Sequence, residues 1–158
     1  MRDAAILLTK LLIVAFFAVL LLCQIWLIPT MAADTASSAP EVAGLRVPGI
    51  VLTVLLLACV QTVLICVWRL LVMVDDDSIF QPAAFRWVDV ITWAVLAAVV
   101  LVIVGLIVID RAQAGTPLVL IGGIFAIIVG MGIALVVVVL KELLRQAVQL
   151  EQDMSEVV

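Results

Sequence analysis

"AQAGTPLVLIGGIFAIIVGMGIALVVVVL", residues 112–140, runs for 29 residues without a charged side chain and passes directly into the polar "KELLRQAVQLEQDMSEVV" of residues 141–158. A helix rises about 1.5 Å per residue, so this run exceeds the roughly 20 residues that cross a hydrocarbon core. It reads as a membrane span, and the rest of the chain is read outward from it.

Three further uncharged runs precede it, at 11–33, 47–68 and 90–109, with 23, 22 and 20 residues. The whole 158-residue chain is 68% hydrophobic and only 13% charged, with a mean hydropathy of +1.46. Soluble domains are about half apolar. In lipid every backbone polar group must be satisfied internally, and none of the runs alternates as barrel strands do, so all four are expected to be helices. The Val- and Ile-rich stretch at 99–109 would favour β structure in water, but its length overrides that preference in a bilayer. The expected fold is all-α: an integral membrane four-helix bundle forming a single membrane domain over residues 1–158. Its spans lie at about 5–29, 47–72, 88–110 and 117–140, and a cytoplasmic extension of the fourth helix occupies 141–158.

Orientation follows from Lys and Arg near the span ends. Arg2, Lys10, Arg69, Arg86, Lys141 and Arg145 fall on one side, against Arg46 and Arg111 on the other, which places both termini and the second loop in the cytoplasm. Nine of the twelve acidic residues share that side, so it carries no polybasic cluster for anionic lipid. The net charge of −4 and the lack of a basic patch argue against direct nucleic-acid binding. Residues 1–33 also loosely fit a secretory signal peptide, with small residues in "TMAAD", but the apolar run exceeds the usual h-region and is read as a span; whether it is ever cleaved is left open.

Between spans, residues 30–47 read as an exposed outer loop with Pro40 and Gly44, and 109–117 as a tight turn with Gly115, Pro117 seating the first turn of the fourth helix. In that helix Gly122, Ala126, Gly130 and Ala134 recur every four residues, a small-residue row that lets another helix approach closely, within the chain or across an oligomer. The tail continues with Leu140, Leu143, Ala147, Leu150, Met154 and Val157 at alternating steps of three and four, an amphipathic stripe suited to packing on its own loop or docking a partner.

No histidine or tyrosine is present, which removes the usual general base, the commonest metal ligand and every Ser-His or Cys-His pair. Cys23, Cys59 and Cys66 lie inside spans and read as small apolar packing residues. Ionisable residues are missing at mid-depth. Gln61, near the centre of the second span, is the only strongly polar side chain of the deep core, with Gln24 nearer the outer surface, and Gln61 is expected to hydrogen-bond a neighbouring helix.

"VDDDSIFQPAAFRW", residues 74–87, sets three adjacent aspartates ahead of three aromatics. Hard-cation sites use alternating carboxylates and a distant closing ligand, so "DDDS" reads as a polar stop whose aspartates or Ser78 cap the third span, with Pro82 in its first turn. On that helix Phe85, Val88, Asp89 and Thr92 share a face, Arg86 and Asp89 stand in i,i+3 pairing range, and Trp68, Trp87 and Trp93 form an interfacial belt. The candidate partner contact comprises Phe80, Phe85 and Arg86 with Leu143, Ala147, Leu150 and Met154.

The acidic loop entering "SIFQPAAFRWVDVI", the terminus "LEQDMSEVV", the "RVP" of residues 46–48 and the "VWRLL" of 67–71 together resemble a family of small four-span bacterial integral membrane proteins of unknown function, and its actinobacterial members most closely. That resemblance implies no catalytic residues. Its members are often encoded beside a small helix-turn-helix regulator, which implies a regulatory partner.

The chain is thus expected to be a multi-pass protein of the cell membrane without enzymatic activity, cofactor or metal. Its expected role is that of an accessory or regulatory partner acting through its cytoplasmic face. The alternative is a small transporter or channel subunit.

Overall fold

The computed structural model describes residues 2–38, 44–75 and 82–157. Among these it is all-helical: α1 (Arg2–Leu22), a π-helical turn (Cys23–Leu27), α2 (Ile28–Ser38), α3 (Arg46–Asp75), α4 (Pro82–Arg111) and α5 (Pro117–Glu156). Four segments are long and apolar enough to span a bilayer, Ala4–Met31, Arg46–Asp75, Ala84–Arg111 and Pro117–Glu156. The protein is a multi-pass membrane protein by this criterion. Threonine hydroxyls inside the spans follow the rule that lipid leaves no polar group to solvent: Thr53, Thr62 and Thr92 each donate to the carbonyl four residues back, at 2.8, 2.8 and 3.1 Å.

The first span does not end at Pro29. Proline lacks the N–H that would bond the carbonyl of Ile25 and its ring crowds that carbonyl. The helix answers by widening to π geometry over Cys23–Leu27, with the Ile28 N–H donating to the Cys23 carbonyl, and then continues as α2 to Ser38. The polar loop expected from Thr30 is therefore helical for its first nine residues.

Helices neighbour one another in chain order: α1 and α2 lie on α3, α3 on α4, and α4 on α5. A row results, with α4 between two partners, and this is where burial concentrates. Ala84, Ile91 and Val99 of α4 are buried, with Cys66 of α3 and Ala134 of α5.

The α4–α5 turn takes its left-handed residue from Gln113 and not from Gly115. Gln113 takes the left-handed conformation, φ 54°, while the Gln113 N–H bonds the Asp110 carbonyl at 3.0 Å and the Ala114 N–H bonds that of Ile109 at 3.2 Å. These bonds close a C-cap of the Schellman type, built here on glutamine, whose side-chain amide also donates to the Asp110 carbonyl. Thr116 then occupies the N-cap position of α5 in extended geometry, with no side-chain cap bond, and Pro117 fills the first turn as its place in the sequence implies.

On α5 the half-buried or buried positions are Gly123, Ile127, Gly130, Ala134, Val137, Lys141, Leu144 and Val148. Steps alternating between four and three average close to one helical turn, so this seam holds to one side of the helix. A row spaced by four drifts about 40° per step. Gly130 and Ala134 lie on the seam against α4, whereas Ala126 is exposed and a Cβ at Gly122 would meet nothing within 4 Å. Gly123, one residue along, takes the close approach: a Cβ there would come within 2.6 Å of the Leu106 side chain.

Candidate functional site

At one end of the helix row three described polar contacts join neighbouring helices, one for each pair. Lys10 of α1 donates to Asp75 of α3 at 3.0 Å. The Arg69 guanidinium of α3 lies over the Trp87 ring of α4, 5.5 Å from its centroid. Lys141 of α5 donates to Asp89 of α4. All four carboxylate and ammonium side chains keep partial contact with solvent, from 20% to 49% exposed. Each ion pair at such exposure contributes up to about 1 kcal/mol, and the cation–π contact about as much. Together they tie the four long helices to one another at one level of the row.

A second tie lies deeper. Gln24, on the π turn, and Gln61, on α3, exchange two hydrogen bonds, Nε2 to Oε1 in each direction, at 3.3 and 3.2 Å. Gln24 also reaches the Val54 carbonyl at 3.5 Å. The spacing is symmetrical: Gln24 follows Lys10 by fourteen residues and Gln61 precedes Asp75 by fourteen, about 21 Å along each antiparallel helix. The two amides satisfy one another, which is the interhelical role expected for Gln61.

Asp89 turns to Lys141 on α5 rather than to Arg86. The Arg86–Asp89 pair allowed by i,i+3 spacing does not form; Arg86 stands exposed, open to solvent or another molecule. Trp87 is half-buried under Arg69, while Trp93, 72% exposed, sits six residues further along α4 and thus deeper. The proposed caps, Asp76, Asp77 and Ser78, lie outside the described residues, as does Phe80; α4 does begin at Pro82.

The remaining partner-contact candidates separate. Phe85 is half-buried on α4, while Ala147 is exposed and Leu143, Leu150 and Met154 are 56, 66 and 75% exposed. Two features explain why the amphipathic stripe of the tail stays open. The stripe lies one residue beside the seam, Leu143 next to Leu144 and Ala147 next to Val148, which turns it about 100° round the helix from α4. The register supplies the second reason. Asp89 meets Lys141, Val99 meets Gly130 and Leu106 meets Gly123, so each step along α4 is matched by one back along α5. Pro82, seven residues before Asp89, therefore lies level with Val148, and the last two turns of α5 run past the start of α4.

Sequence reasoning singles out Lys10, Arg69 and Asp89 one by one and misses their partners. The signal lies in the equal fourteen-residue intervals, which only an antiparallel pairing of the first two spans brings into use.

In comparison with known families, the family model described as "Protein of unknown function (DUF2975)" matches residues 30–158, beginning at the end of the first span. No curated protein and no solved structure matches the chain.

Proposed function

This chain belongs to the DUF2975 family of proteins of unknown function, and we propose that it is a non-enzymatic accessory or regulatory membrane protein that contacts another protein through the tied end of its helix row. The observation that carries this reading is the exposed stripe Leu143, Ala147, Leu150 and Met154 on a helix that outruns its neighbour; Arg86, towards the same end of α4, is exposed as well. Apolar side chains spaced along one face of a projecting helix suit a helix-in-groove or groove-on-helix contact. The ties at the same end support it, because they fix the angle at which that helix leaves the membrane.

In this reading both termini and the tied end face the cytoplasm of a cell whose plasma membrane the four helices cross, supported by the distribution of Lys and Arg. Affinity purification from native membranes tests the proposal, comparing the full chain with a version ending at Val148 and with Leu150→Glu/Met154→Glu. Partners recovered with the full chain and lost from both variants are the expected result; an identical set from all three would refute it. A reporter fused after Val157 that is active only outside the cytoplasm would overturn the orientation.

A further inference from the structure

Past Val148, where α5 has outrun the start of α4, the residues from Gln149 to Val157 are polar except at three positions. Leu150, Met154 and Val157 are those three, and they stand 66, 75 and 87% exposed. They continue the stripe of Leu143 and Ala147. Followed the other way in the same alternating steps of three and four, the stripe passes Leu140 and Ile133 and reaches Ala126 and Gly122 near the far end of the span. All eleven positions of this row are exposed and none is charged. It runs one residue beside the α4 seam, on the helix that ends the row of four and packs mainly on α4.

Whatever covers the row has to follow it through two media. Hydrocarbon suits the part inside the bilayer, but Leu143, Leu150 and Met154 lie among Glu, Arg and Gln side chains beyond it. The matching occupant is a helix that crosses the membrane beside α5 and leaves it on the same side for several turns. Among the described helices α5 alone has that build, at 40 residues against 28, 30 and 28 for the other spans. A parallel pair of α5 helices sets every position of the row against its twin at the same depth. In heptad register Gln146 then stands opposite the partner's Glu151, an amide donor facing a carboxylate, and no like charges meet across the seam. A Cβ at Gly122 meets nothing within its own chain, so that end of the row is open to the close backbone approach that small residues allow. The area is adequate as well. The larger side chains of the row are exposed from 41% at Val129 to 87% at Val157. Together they offer about five whole aliphatic side chains, on the order of 500 Å². Flanking positions bring this toward the roughly 800 Å² per partner of a stable interface.

We propose that α5 pairs with α5 of a second copy of this chain along the row from Gly122 to Val157, as a parallel left-handed coiled coil that begins in the membrane and continues beyond it. The proposal rests on the reading of the stripe as a protein contact and names the partner.

Disulfide trapping in native membranes tests it, in the full chain with Cys23, Cys59 and Cys66 replaced by alanine. Single cysteines are introduced on the row, Leu143→Cys and Leu150→Cys, and two residues further on, Arg145→Cys and Gln152→Cys, which lie about 200° round the helix. Chain-to-chain cross-links are expected to form about tenfold faster or more on the row, since a disulfide requires Cα atoms within about 7 Å. Equal rates at all four positions, or no cross-link on the row, would overturn the pairing. Light scattering of the purified chain in mild detergent is expected to give two copies, and Leu143→Glu/Leu150→Glu one. Circular dichroism is expected to be the same for both, because the row has no partner within its own chain. A glutamate variant that stays paired would overturn the proposal too, and the cysteine variants keep the test valid if it fails to fold. Failure of the pairing is distinguishable from failure of the protein-contact reading. Absent cross-links, with a different protein still recovered by the full chain and lost with Leu150→Glu/Met154→Glu, refute the second copy alone; cross-links on the row with no other protein recovered refute the accessory role alone.

Discussion

Replacing either member of the Gln24–Gln61 pair by methionine, which keeps the length and unbranched shape of glutamine, isolates the polar tie inside the membrane. Interhelical hydrogen bonds in membrane proteins average about 0.6 kcal/mol and reach about 1.7. Two reciprocal bonds therefore predict a coupling of about 1 kcal/mol, roughly a fivefold change in the folding equilibrium. The single variants are expected to differ. Gln61→Met leaves the Gln24 amide with the Val54 carbonyl at 3.5 Å, whereas Gln24→Met removes that bond too and leaves Gln61 with neither of its own. Gln24→Met is thus the more damaging, by several tenths of a kcal/mol, and the double variant is less damaging than the sum of the two, because no amide is left stranded. Reversible unfolding in mixed micelles, followed by circular dichroism and tryptophan fluorescence, yields the double-mutant cycle. Additivity within about 0.3 kcal/mol would refute the pairing.

Glycine substitutions on α5 separate the packed face from the open one. Gly130→Ala drives a Cβ to 2.6 Å from Val99 Cγ2, a side chain stiff at χ1, and is expected to cost about 1–3 kcal/mol. Gly132→Ala meets nothing and gains up to about 1 kcal/mol of helix propensity, read in the same micelle titration. Reversing one charge, Asp89→Lys or Lys141→Asp, is expected to lower stability by about 1 kcal/mol, and making both changes together to recover most of it, less so in high salt. Gln113→Gly relieves the left-handed strain at the C-cap of α4 and is expected to raise stability by about 1 kcal/mol, seen as a higher unfolding midpoint. Truncation after Val148, the last residue of the seam, removes residues with no α4 partner, so stability is expected to stay within about 0.5 kcal/mol of the full chain.

The membrane fold was legible because lipid leaves a chain so little choice. Long uncharged runs in 11–33, 47–68, 90–109 and 112–140 can only be helices there, and Pro82 and Pro117 mark two of the starts. The continuation past Pro29 was not legible, since proline usually ends a helix and only the widened turn at Cys23–Leu27 shows how this one absorbs it. At the tied end, composition pointed to Lys10, Arg69, Asp89 and Trp87 as boundary residues. Their partnerships depend on which helices are neighbours, and hydropathy is silent on that.

Length and charge pattern, local properties, therefore determined the number of spans, their helical nature and the amphipathic character of the tail. What only the tertiary structure decided is relational. It selected Gly123, Gly130 and Ala134 over Gly122 and Ala126, because a seam must stay on one side of a helix with 3.6 residues per turn. It matched Gln24 with Gln61 and Lys10 with Asp75, because antiparallel helices meet at equal distances from a common end. It left Leu143 and Ala147 uncovered because they lie beside the seam that Leu144 and Val148 complete, and Leu150 and Met154 because α5 is longer than the helix it packs on.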